Sequence, residues 1–195
     1  MSVRPGIRKH LIKAWKRCIE RDYCSQAINS ERSLQASFSS YLRGQLEDTR
    51  RLFIEPTMMV NQSGDEKPVR PDIVVCNRDV IIAIVELKYA PRGGAHYNKD
   101  LDTLATIARA RKEKKGIELA NERYLGKVKE PKKYPLSPEI LFVWAGVHFQ
   151  KKKDRETPYH DLHPDKKVSK SLKGCFLELH AETKEGDDPE IYPLE

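Results

Sequence analysis

The stretch DVIIAIVELKY, Asp79 to Tyr89, constrains this 195-residue chain more than any other. Every side chain from Val80 to Val85 is aliphatic. In a strand, side chains alternate between faces, so Val80, Ile82, Ile84, Glu86 and Lys88 share one face and Ile81, Ala83, Val85 and Leu87 the other. Both faces are apolar for most of the length, which marks a central strand covered on both sides. It ends on two charges, Glu86 and Lys88, where open α/β sheets place their ligands.

The neighbouring segments extend this into a fold. RPDIVVC, Arg70 to Cys76, is a second strand, and Asn77 and Arg78 supply a tight turn. An antiparallel pair puts Asp72 at the start of one strand beside Glu86 at the end of the other. Upstream, RRLFIEPTMMV reads as a strand broken or edged by Pro56, and NQSGDEKP as a turn leading into a hairpin-like return. Leu11, Ile12, Trp15 and Ile19 recur at helical spacing between Arg8 and Tyr23, with Lys9, Lys13, Lys16 and Arg17 on other faces. A second helix starts near Asn29 or Ser30, carrying Leu34, Phe38, Tyr41, Leu42 and Gln45 on one stripe. Leu101, Leu104, Ile107 and Ala108 set a third helix, and EILFVWAG and GCFLELHA are later strands. Residues 150–173 read as a long polar loop, and residues 184–195 as an acidic, proline-containing tail.

These elements predict one α/β domain over residues 1–195, with a basic N-terminal helix in 1–28 and a core over about 29–180. The formal net charge of +7 raises the expectation of a polyanionic partner. No run of apolar residues is long enough to span a bilayer, and the basic N-terminus lacks the pattern of a secretory signal, so a cytoplasmic protein without membrane contact is expected. The four cysteines show no CxxC pairing and read as buried small hydrophobes or inert thiols.

Two carboxylates on rigid strands, Asp72 and Glu86, suit a hard divalent ion with positions left for water and phosphate oxygens, which is magnesium chemistry. Lys88 beside them can orient or deprotonate an attacking water, or offset charge in the transition state. Pro71 and Asp72, followed by Glu86, Leu87 and Lys88, resemble the signature of the PD-(D/E)XK nuclease superfamily. That resemblance implies the restriction-endonuclease-like fold, a central mixed sheet flanked by helices with an α-β-β-β-α-β core, here with an extra N-terminal helix. It implies a Mg2+-dependent endonuclease, with Mn2+ as a substitute, acting on DNA in preference to RNA. Asp72 and Glu86 would bind metal with the Leu87 carbonyl, and Lys88 would serve the attacking water. Glu31, in ERSLQ, would be a further acidic residue of the site, with Gln35 one turn later. One active site cuts one strand, so a homodimer or a partner protein is expected if both strands are cut.

Other readings of the same residues stand beside this one. Glu86 and Lys88 can form a simple ion pair while Asp72 caps a turn. Glu31 in a first helical turn is also explained by the helix dipole. Gly93 and Gly94 permit close backbone approach, and Arg92 and Lys99 can meet phosphates or solvent. His160 and His163, in HDLH, raise a histidine-based rival, but they read as surface residues of the loop. A catalytically silent nucleic-acid-binding or scaffold module of the same fold is the first alternative function. A protein-interaction domain is the second.

Overall fold

The structure is a computed structural model that describes residues 5–62, 65–112, 118–120, 132–149 and 157–194. Strand β1 is Arg51–Ile54, β4 Ile73–Cys76, β5 Ile81–Ala90, β7 Lys133–His148, β8 Phe176–Lys184 and β9 Asp187–Leu194. They form a six-strand mixed sheet in the order β1-β4-β5-β7-β8-β9, flanked by helices. Strands β1, β4 and β5 are antiparallel, β5-β7 and β7-β8 are parallel, and β9 returns antiparallel. A hairpin of β2 (Met58–Gln62) and β3 (Asp65–Val69) is inserted between β1 and β4, and β6 (Glu118–Ala120) ties it to the first half of β7.

Helix α1 is Pro5–Arg17, continued by a π-helical turn over Cys18–Tyr23; α2 is Glu31–Arg43 and α3 Asn98–Lys112. With the β2–β3 hairpin and β6 set aside as additions, the elements run α2-β1-β4-β5-α3-β7, the α-β-β-β-α-β order expected from the sequence. Leu11, Trp15, Leu34 and Phe38 cover one face of the sheet over Val75, Val85 and Val143. Leu101, Leu104, Ile107 and Ala108 cover the other over Ile84, Phe142 and Trp144. Burying each such side chain contributes about 1.5–3 kcal/mol, so apolar stripes fix where both helices lie.

The turn between β4 and β5 is built by Asn77. Its side-chain oxygen accepts from the Asp79 and Val80 amides at 2.8 Å each, and its own amide donates to the Val80 carbonyl at 3.0 Å. The strand it feeds does not alternate evenly. A bulge between Ile81 and Ala83 resets the phase, so Ile82 joins Ala83, Val85 and Leu87 on the α1–α2 side, while Ile81 joins Ile84 on the α3 side. An extra residue in one strand of a pair does this. Above the bulge the expected alternation holds, and that is where Glu86 and Lys88 stand.

The expected break at Pro56 is present, and the two strands it separates run in different parts of the sheet, β1 beside β4 and β2 beside β3. Three further expectations are corrected. The expected turn NQSGDEKP is shorter, because Asp65–Val69 is already strand β3. The expected loop holds two helices, α4 (Tyr159–Leu162) and α5 (Lys166–Leu172), while its first part, 150–156, lies outside the described residues. The expected tail is mostly strand: Gly186, at φ 80°, makes the reversal, and β9 pairs with β8 from Asp187↔Lys184 to Leu194↔Glu178. Pro189 and Pro193 lack amide donors, which is tolerable on an edge strand and blunts its outer side against further pairing.

No helix among the described residues is long and apolar enough to cross a membrane. All four cysteines are free; Cys18, Cys76 and Cys175 are buried and Cys24 is exposed. Burial pushes the Cys18 and Cys76 thiols up to about 12, which makes them inert as expected. Because Ile191 packs on the core and Tyr192 stacks on the His180 ring at 4.7 Å, β9 is structural. Deleting residues 187–195 is expected to lower the melting temperature by at least about 5 °C, measured by circular dichroism. A dispensable tail would leave it unchanged.

Candidate active site

The β4–β5 register pairs Ile73 with Val85 and Val74 with Ile84. One step further it sets Asp72 opposite Glu86, on the face shared with Val74 and Ile84. The Leu87 amide donates to Asp72 Oδ2 at 2.6 Å. The Asp72 amide in turn donates to the Glu86 carboxylate, and the two carboxyl groups are hydrogen-bonded to each other. The Asp72 carbonyl accepts from the Glu55 amide at 2.9 Å and from Gln35 Nε2 at 3.2 Å. Gln35 is buried, with its amide engaged there, so it supports Asp72 from behind.

Helix α2 brings Glu31 to the same place. Ser30 caps the helix in a reciprocal arrangement with Ser33, which leaves Glu31 as the first helical residue. Its Oε2 accepts from the Tyr89 amide at 3.2 Å and lies 3.8 Å from Lys88 Nζ. That ion pair is partly exposed and contributes under about 1 kcal/mol, so it follows from the docking of Leu34 and Phe38 rather than causing it. Lys88 thus pairs with Glu31, and Asp72 reaches across to β5 instead of capping its own turn. The simple ion-pair reading of Glu86 with Lys88 does not describe this geometry.

A fourth carboxylate arrives from the opposite side. Asp100, in the first turn of α3, accepts from Trp144 Nε1 at 3.2 Å. Sequence reasoning did not single it out, although a signal was present. Asp100 lies four residues before Leu104 and seven before Ile107, at the head of the apolar stripe, as Glu31 lies before Leu34 and Phe38.

The electrostatics are those of anions taken from water. Burial, and then the charges of Asp72 and Asp100, hold Glu86 well above the usual carboxylate range. Burial raises Asp72, against the Leu87 amide, which lowers it. Burial also pushes Asp100 up to about 6, with Lys88 and the Trp144 indole opposing the rise. Two adjacent carboxyls in such a place hold a proton between them or require a cation. Among the described residues no three His, Cys, Asp or Glu side chains form a ready-made cage. Asp72 and Glu86 could hold a hard cation that completes its shell with water or backbone oxygen.

The remaining candidates lie around this centre. Lys99 is exposed at the start of α3. Arg92 is exposed and lines a cleft of about 780 Å3 in which Lys184 and the acidic Glu182, Asp187, Asp188 and Glu190 also stand, so the cleft is of mixed charge. His160 and His163, expected at the surface, are instead buried at 5% and 3% exposure. His160 packs edge-on against Phe176, and His163 Nε2 lies 3.7 Å from Asp102 on α3, so they dock α4 rather than form a second centre.

No protein-family model matches the sequence, and no curated protein matches it. Among solved structures, the chain is similar to NucC of P. aeruginosa in its cAAA-bound form, with 10% identity, a TM-score of 0.47, and coverage of 99% of this chain and 85% of that one.

The raised carboxyls fix the sign of a pH effect. Asp100 keeps its proton up to about 6 in the folded state, against an ordinary value of 3.8. Its burial is thus fully tolerated below the ordinary value and costs stability increasingly as pH climbs to about 6. Asp100→Asn is expected to melt about 2–4 °C above the unaltered protein at pH 7.5 and at the same temperature at pH 3.5, by thermal denaturation. Added Mg2+ should raise the melting temperature at pH 7.5 and not at pH 4.

Proposed function

We propose that the protein is a PD-(D/E)XK-type nuclease that hydrolyses phosphodiester bonds with a divalent cation, magnesium in preference and manganese as a substitute. The observation that carries the reading is the convergence of Asp72, Glu86 and Lys88 from two paired strands, with Asp72 and Glu86 directly opposite in register. The restriction-endonuclease-like reading of the fold is supported by the element order α2-β1-β4-β5-α3-β7 around a mixed sheet.

Bound between Asp72 and Glu86, with the Leu87 carbonyl, the cation would supply charge neutralisation on the phosphate and acidify a water. The chain's own residues do the rest. The Asp72 backbone is held at its carbonyl by the Glu55 amide and Gln35, and its carboxylate is held by the Leu87 amide. Lys88, held by Glu31, faces the attacking water or the developing negative charge. Glu31 assists through Lys88 and through its second carboxylate oxygen.

DNA is the favoured substrate and RNA the alternative. Attraction to either comes from exposed basic residues: Lys9, Lys13, Lys16, Arg17 and Arg21 on α1 and its π-helical turn, and Lys99 and Arg92 near the site. Such contacts position a backbone and do not read sequence. Cleavage of both strands would require two copies of the site, hence a homodimer or a partner protein.

The test is incubation of purified protein with plasmid, single-stranded DNA and RNA, with Mg2+, Mn2+ or chelator. Cleavage is expected only with metal, and Asp72→Asn and Lys88→Ala are each expected to reduce the rate by about 100-fold or more. Binding without cleavage in every condition would replace this reading with the silent module, and neither binding nor cleavage with a protein-interaction domain.

A further inference from the structure

Trp144 stands directly opposite Glu86 in the parallel β5–β7 register, and Gly146 opposite Lys88. Its indole lies flat across Gly146: a methyl group built on that glycine would sit 2.2 Å from Cη2, 2.7 Å from Cζ2 and 2.9 Å from Cζ3. Any other residue at 146 would expel the ring from this position. The indole is fully buried and is packed on by Tyr159 at 5.2 Å, His180 at 5.5 Å and His148 at 6.0 Å.

Those neighbours are themselves fixed. Glu178 accepts from the Tyr159 amide and lies 2.9 Å from His180 Nε2, and His180 Nδ1 lies 3.0 Å from His148 Nε2. Tyr159 stacks on Tyr97 with centroids 4.0 Å apart. An indole has one donor, and this one is spent on Asp100. A buried indole must place its one N–H within the fold, and the clamp turns it to Asp100.

We propose that Trp144 is a positioning residue of the active site: its indole N–H fixes Asp100 in the first turn of α3, on the side of the sheet where Trp144 stands opposite Glu86. This rests on the nuclease reading above. On that reading Asp100 would act by its charge on Lys88.

The experiment uses the two tryptophans of the chain. In Trp15→Phe protein Trp144 is the sole indole emitter. Its fluorescence is expected to change saturably with Mg2+, at the concentrations that support cleavage, and Asp100→Asn in the same background is expected to remove the response while the protein stays folded by circular dichroism. Trp144→Phe, and separately Asp100→Asn, are expected to lower kcat about ten-fold, the size of one hydrogen bond to a charged group, with KM for DNA within about two-fold. Asp100→Asn keeps a hydrogen-bond acceptor for the indole, so its loss of rate reports the charge and not a disturbed core. Metal-dependent cleavage by both variants at the unaltered rate, with no Mg2+ response of Trp144, would overturn the proposal and leave the nuclease reading standing. Absence of cleavage and of any Mg2+ response in the unaltered protein would overturn both.

Discussion

The structure turns on two carboxyl groups that face each other where water is scarce. Asp72 and Glu86 are set opposite by strand register, with the Leu87 amide on the Asp72 carboxylate and the Asp72 amide on that of Glu86; Glu86 is buried and Asp72 half-buried. Bringing like charges together in a desolvated place costs free energy, and a fold that does so with both groups held by amides retains an electrostatic strain that a proton or a cation relieves. Both flanking helices are aimed at this point. Glu31 opens α2 and Asp100 lies in the first turn of α3, where helix dipoles favour anions, so neither helix presents its unfavourable end to the carboxyl pair.

The pair was legible in the sequence because its placement depends on local rules. Asn77 sets a tight turn, a tight turn fixes an antiparallel register, and the register puts position 72 across from position 86. Glu31 was legible for a similar reason: Ser30 caps the helix, and the phase of Leu34 and Phe38 gives its direction. Even the bulge at Ile81–Ala83, which no pattern in the aliphatic run betrays, left the outcome intact, since it lies before Glu86 and the phase above it is regular.

What was not legible depends on contacts across a crossover. The parallel register that sets Trp144 against Glu86 is fixed by how α3 packs, not by a turn, so neither Trp144 nor its hold on Asp100 follows from spacing. The same holds for HDLH. Its polar surroundings read as exposed, yet Tyr159 and His160 are drawn under by Trp144 and Phe176. Strand β9 was hidden by composition: acidic residues and two prolines argue for a tail, and they are compatible with a strand only because it is the last in the sheet.

The distribution of charge also sets an order of events on the proposed reading. The chain is basic as a whole, at +7, but the centre is acidic, with Asp72, Glu86, Glu31 and Asp100 against Lys88. A nucleic acid drawn in by the lysines and arginines of α1 meets repulsion at the strand ends as long as the carboxylates carry unopposed charge. A divalent cation reverses that balance locally and leaves the basic periphery as it was. On the nuclease reading a cation bound first would ease the seating of a phosphate, because burial makes the unopposed charges of Asp72 and Glu86 costly.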